Sequence, residues 1–249
     1  MLWRVILIIL LIIATALAGI WAYRHFILPP PTPPVVTIPS PFQPPTTPDL
    51  PPILKPVPPA HVAKLLNSIT KQVEVTRSYD PSYVNLKYPG GDVADTTGVC
   101  ADVVVRAFRA QGVDLQQALH EDMRKAFADY PKKWKLSRPD TNIDHRRVYN
   151  LMRFFERNGK AQPITQNPAD YLPGDVVAWD LGKGQAHIGI VTHYKTEDGV
   201  PLMGHNIAYG TNIENALFYW PIIGHYRYFN AQGDVSATPR GRTTIDLPR

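Results

Sequence analysis

The chain has 249 residues, with 26 Lys and Arg against 21 Asp and Glu and a formal charge of +5. Removing Arg4, Arg24, Lys55 and Asp49 leaves +3 (23 minus 20) beyond residue 59, too weak and too dispersed for the clustered basic face of a nucleic-acid binder. Of the 26 prolines, 15 fall between Pro29 and Pro59; a stretch so poor in backbone donors excludes helix and central strand there, and with them a uniformly globular chain.

Residues 1–28 come first. Val5 to Tyr23 is an uncharged, mainly apolar run of 19 residues bracketed by Arg4 and Arg24. As a helix it spans about 28 Å, close to the roughly 30 Å hydrocarbon core of a bilayer. A single membrane anchor is the preferred reading, because the run continues through Ile20, Trp21, Ala22 and Tyr23. The alternative is a cleaved signal ending near Ala16-Leu17-Ala18, and either one exports the remainder. Residues 29–59 read as a proline-rich linker. Extended as polyproline II it reaches at most roughly 95 Å; a linker without preferred length and a ligand for a proline-binding module are the alternatives.

Residues 60–230 suit a single α+β domain, and 231–249, without periodicity, read as a flexible tail. Cys100 is the only cysteine, so the domain has no internal disulfide. An unpaired thiol in an exported domain is either a small buried hydrophobe or a nucleophile. The context favours the nucleophile. Pro89-Gly90-Gly91 and Asp95 to Gly98 form turns before it, Thr97 or Asp95 offers a helix cap, and Val104, Ala107, Phe108 and Gln111 recur at helical spacing up to Gly112. That places Cys100 in the first turn of a helix, where the dipole favours a thiolate, with Asp102 as an opposing anion. Tyr88 is a candidate hydroxyl for the site, or a packing residue beside the glycine turn.

Further on, Leu115, Leu119, Met123, Phe127 and Tyr130 mark a second helix that carries His120-Glu121-Asp122 on a solvated face. Asp144 is expected to cap a third, whose Val148, Leu151, Met152 and Phe155 form one apolar face ended by Gly159. His145, Arg146 and Arg147 then occupy its first turn against the dipole, which suggests that they bind carboxylates, either of a substrate or within an internal ion-pair network.

Strands follow. Pro173-Gly174-Asp175 introduces Val176 to Trp179, and after the Gly182-Lys183-Gly184 turn His187 opens a strand to His193 in which Gly189 shares the His187 face. Asp198-Gly199 is a turn, Pro201 to Ala208 a third strand, and Leu217 to Phe229 a fourth that Pro221 interrupts. A cysteine nucleophile needs a base, for which His187 is the candidate, and a third group to orient that base. His205 and Asn206 are the choices. A two-residue turn at Asp198-Gly199 puts Asn206 on the His187 face, whereas a longer loop or a bulge selects His205; Asn206 is preferred.

These residues resemble a known family. Tyr88-Pro89-Gly90-Gly91, Gly98-Val99-Cys100, Pro173-Gly174-Asp175-Val176-Val177 and His187-Ile188-Gly189-Ile190-Val191 are similar in order to NlpC-type papain-like cysteine peptidases and the related CHAP amidohydrolases. Closer is the resemblance to domain-of-unknown-function family 1287 of bacterial envelope proteins, through Gly98 to Val104, His120 to Met123, Asn142 to Val148, and Gly224-His225-Tyr226-Arg227; it covers roughly Val73 to Phe229. The resemblance implies a papain-like α+β domain, with N-terminal helices, the cysteine at a helix start, and a small antiparallel sheet. It implies Cys100 as nucleophile, His187 as general base, and His205 or Asn206 as orienting residue, acting without a cofactor on amide bonds of peptidoglycan peptides. Joined to the anchor and linker, this describes a single-pass bacterial inner-membrane protein with its C-terminal domain in the periplasm, with an envelope complex as a possible partner. The rival readings are a catalytically inactive envelope-binding or assembly module and a zinc hydrolase using His187, His193, His205 and His225, although no His-Glu-x-x-His is present.

Overall fold

A computed structural model describes residues 54–230. The anchor or signal (1–28), the linker up to residue 53 and the tail (231–249) lie outside the described residues. Among the described residues no helix is long and apolar enough to cross a membrane.

The domain is α+β. Four α-helices, α1 (Ala63–Val75), α2 (Cys100–Ala110), α3 (Leu115–Ala126) and α4 (Val148–Arg157), accompany a five-stranded sheet built from β3 (Val176–Asp180), β4 (Ala186–Lys195), β5 (Pro201–Asn206), β6 (Thr211–Glu214) and β7 (Ile222–Tyr226). Its order is β6-β5-β4-β3-β7, antiparallel throughout. A two-residue parallel ladder, β1 (Ser78–Tyr79) with β2 (Thr97–Gly98), sits just before Cys100.

Both sheet faces are covered, which explains why β3 and β4 read as nearly unbroken apolar runs rather than alternating ones. Val176, Ala178, Ile188 and Ile190 join the helix-side core with Leu66, Phe108, Leu119 and Phe155. Val177, Trp179, Val191 and Met203 pack on the other face against Tyr171, Ala216 and Leu217. Gly204 lets α1 approach closely, since a Cβ there would stand 2.5 Å from Cγ2 of Ile69. Leu54, within the expected linker, forms a bridge with Lys195 at the end of β4.

Local expectations shift in instructive ways. The helix carrying Cys100 begins where expected, but neither Thr97 nor Asp95 caps it. Asp102 reaches back from within the helix and accepts from the Val99 N–H at 2.7 Å. Asp144 likewise caps no α-helix; Asp144–Arg146 is a separate 3-10 turn, and α4 starts at Val148. Its carboxylate reaches back to the Asp140 N–H at 2.6 Å, so the three cations precede the helix rather than oppose its dipole. The third strand ends at Asn206, the fourth is confined to Ile222–Tyr226, and β6 lies between them where none was expected.

Candidate active site around Cys100

Cys100 occupies the first position of α2 and is 4% exposed. The approach to it is pinned from two sides. Arg106, on α2, pairs with Asp92 and donates to the carbonyls of Val93, Ala94 and Thr97. Asn206 donates from Nδ2 to the carbonyls of Ser78 (3.1 Å) and Gly98 (2.9 Å), tying β5 to the β1/β2 ladder.

The sulfur sits where two strands part. Val191 donates its N–H to Asp175, on the β3 side of β4, so by alternation the Ile188 N–H faces β5. The β4/β5 ladder is regular at Ile190↔Gly204 and Val191↔Met203 and reaches no further toward His187. The backbone N–H groups of Ile188 and Ala101 and the Tyr79 side chain are the polar groups near the Cys100 sulfur that favour its thiolate. Burial nevertheless outweighs these donors and the helix dipole, and with the Asp102 charge it pushes the thiol up to about 11. The thiolate expected from the helix start is therefore not the resting form. Tyr79 is pushed up as well, by burial first and by its bond to Cys100.

His187 and His205 share the sheet face away from the helices. The β4/β5 register decides this. Ile190 opposes Gly204 and Val191 opposes Met203, and a shift separates these pairs from Lys195↔Pro201. Like-parity positions therefore share a face, which selects His205 and overturns the parity that favoured Asn206. His187 Nε2 lies 2.8 Å from His205 Nδ1, and Glu214 Oε1 lies 2.9 Å from His205 Nε2. His187 stacks on Trp179 at 5.6 Å with Trp220 edge-on at 5.8 Å. Burial, then His205, holds the His187 imidazole well below its ordinary range, so it is neutral; the neighbouring His205 holds the Glu214 carboxyl down. Gly189 makes room, since a Cβ there would meet His205 Cβ at 3.0 Å and Trp179 Cη2 at 3.2 Å. Cys100 and His187 share no hydrogen bond, but the Ile188 N–H near the sulfur belongs to the residue next to His187.

An open cleft of about 290 Å³ is lined by Tyr79, Cys100, Trp134, Arg147, Tyr149 and Ala186 among others, and His187 and His205 do not line it. Arg147 stacks over Trp134 at 4.3 Å and pairs with Asp144 at 3.0 Å. Lys133, also in the cleft, lies 4.5 Å over the Tyr149 ring. A larger cavity, about 420 Å³, lies by Asp80, Leu86 and Gly91 and does not include Cys100.

Of the three other candidates, Arg146 borders the Cys100 cleft, whereas His145 and Tyr88 line neither cavity. Arg146 is buried, grips both Asp102 oxygens and donates to the carbonyls of Ser82 and Asp80; it holds the segment following Tyr79 rather than offering its charge to a ligand. His145 is buried and lowered to about 4, by burial first and the Arg146 charge second. Tyr88 lies against His120 at 5.1 Å and lines neither cavity. Sequence reasoning missed Tyr79, Lys133 and Glu214. For Glu214 the available signal was the short Thr211-Asn212-Ile213 run after Gly210. His225, offered for zinc, is held by Asp175 and the Pro163 carbonyl, and among the described residues no three His, Cys, Asp or Glu side chains are grouped to hold a metal ion.

The fold and site define an α+β domain with a helix-start cysteine at the opening of a strand whose histidine leads into a His–Glu chain. The chain belongs to the family described as domain of unknown function (DUF1287), which it matches over residues 66–228. It is 57% identical over 159 residues to the "Uncharacterized protein YijF" of Escherichia coli (strain K12), an alignment covering 64% of this chain and 78% of that protein.

Proposed function

We propose that this domain is a cysteine amidohydrolase or endopeptidase of papain-like kind, akin to the NlpC and CHAP enzymes, that cleaves amide bonds in peptidoglycan peptides while tethered to the bacterial inner membrane with its domain in the periplasm. The observation that carries this reading is the Cys100 thiol at the start of α2, lining an open cleft, together with the neutral His187 hydrogen-bonded to His205 on the neighbouring strand.

Thiol and imidazole are both neutral and share no hydrogen bond at rest, with His187 on the face away from the helices, so in this reading His187 has to turn toward the sulfur on substrate binding before it serves as general base. The S–H bond breaks as sulfur attacks the carbonyl, and the proton moves to the imidazole and then to the leaving amine. The thioester left behind is hydrolysed by water. The amides at the start of α2 and the Tyr79 hydroxyl are the donors nearest the developing oxyanion, each such donor contributing roughly 3 to 4 kcal/mol in well-studied enzymes.

The test is mass analysis of muropeptides released from purified cell wall. The wild-type chain is expected to release new peptides and Cys100→Ala to release none while keeping its circular dichroism. Equal release by the two would overturn the reading.

A further inference from the structure

The polar chain behind His187 runs one residue further than a three-residue catalytic set requires. In the β5/β6 register His205 opposes Asn212 and Met203 opposes Glu214, so Glu214 lies diagonal to His205 on the same face. Its Oε1 stands 2.9 Å from His205 Nε2. Nε2 is buried and has no hydrogen-bond partner among the described residues, so the Glu214 carboxylate is the acceptor nearest to it. A carboxylate beside a buried ring nitrogen that lacks another acceptor settles where the protons lie.

A neutral imidazole has one donor and one acceptor nitrogen. A carboxylate only accepts, so His205 carries its proton on Nε2, facing Glu214. His205 Nδ1 is then an acceptor, and His187 Nε2, 2.8 Å away, carries the proton between them. That leaves the lone pair of His187 on Nδ1, which makes no hydrogen bond among the described residues. Were His205 to switch tautomer, its Nδ1–H would donate to His187 Nε2, the His187 proton would sit on Nδ1, and the base would be lost.

We propose that Glu214 is a positioning residue which, by fixing the tautomer of His205, fixes Nδ1 of His187 as the nitrogen that accepts a proton. Its catalytic purpose rests on the hydrolase reading above, but the tautomers belong to the folded protein in any case. When His187 takes the thiol proton, the S–H bond is exchanged for an Nδ1–H bond, the Nε2–H bond to His205 is retained, and the Glu214 charge faces the new imidazolium through one intervening ring. Trp179 and Trp220 flank both histidines and keep this exchange out of bulk water.

The experiment labels histidine with 15N in the full chain and reads ring tautomers from long-range 1H–15N correlations, alongside peptide release from purified wall. The wild type is expected to show the Nε2–H form at both His187 and His205. Glu214→Gln, whose amide oxygen still accepts, keeps that pattern; Glu214→Ala yields mixed tautomers and a fall in peptide release of between about tenfold and the roughly 10⁴-fold cost of an imidazole held in the wrong tautomer. Glu214→Ala with both tautomers unchanged overturns the assignment. A wild type that releases no peptide, yet loses its tautomer pattern on Glu214→Ala, supports the assignment and removes the hydrolase reading alone.

Discussion

Arg146→Ala is the perturbation with the largest expected effect on the fold near the site. The side chains of Arg146 and Asp102 are 1% and 4% exposed. Arg146 binds both Asp102 oxygens at 2.9 to 3.2 Å and donates to Ser82 O at 2.8 Å and Asp80 O at 3.0 Å. Truncation leaves Asp102 buried with the Val99 N–H as its remaining partner and strands two carbonyls. Removing one member of a buried pair costs about 3 to 5 kcal/mol, a large share of the roughly 5 to 15 kcal/mol that stabilises a domain. At about 2 to 4 °C per kcal/mol for a domain of this size, the midpoint should fall by about 6 to 20 °C. Lysine lacks the planar fork and should recover only part of this, whereas Arg146→Ala with Asp102→Ala should lose less than the sum of the single changes. Urea and thermal unfolding followed by circular dichroism measure all four variants. A loss below about 1 kcal/mol for Arg146→Ala would refute the reasoning, because it would mean that Asp102 reaches water or a new partner without cost.

Three more expectations concern acid stability, packing and thiol chemistry. His145, lowered from 6.5 to about 4, is neutral in the fold; its contribution is fully present above pH 6.5 and is lost as pH falls toward 4, about 3 kcal/mol in all. Urea midpoints across that window should show the loss, and His145→Gln should make the profile shallower; an identical profile in that variant would contradict the assignment. Gly189→Ala places a Cβ 3.0 Å from both Gly204 O and His205 Cβ, and overpacking of that kind costs about 1 to 3 kcal/mol; neutral urea stability would show that the strands give way. With the Cys100 thiol pushed up to about 11, its alkylation rate should rise about tenfold per pH unit from 7 to 10, and a rate already level at pH 7 would reveal a preformed thiolate instead.

Much of the domain was legible because local rules decide it. The stripe Val104, Ala107, Phe108 fits only a helix that starts near Cys100, and the turn at Gly182-Lys183-Gly184 leaves β3 and β4 little freedom. β6 escaped because four residues carry almost no periodic signal; its partner β5 defines it. The choice between His205 and Asn206 stayed open for a related reason. Loop length after β4 sets strand parity, and the register shift near Lys195 has no signature in the residues themselves. Of the two roles open to Arg146, the structure shows the internal ion pair, and its partner Asp102, 44 positions earlier, could not be picked from the sequence because only the fold brings it against Arg146.

By itself, then, the sequence determined the α+β class, the helix that begins at Cys100 and the strand that opens near His187, since each follows from spacing within a few residues. Tertiary structure alone decided that His205 rather than Asn206 meets His187, that Glu214 stands behind it, that Arg146 is spent internally, and that Cys100 rests as a thiol. Those outcomes depend on strand register and on burial, which are properties of distant segments brought together.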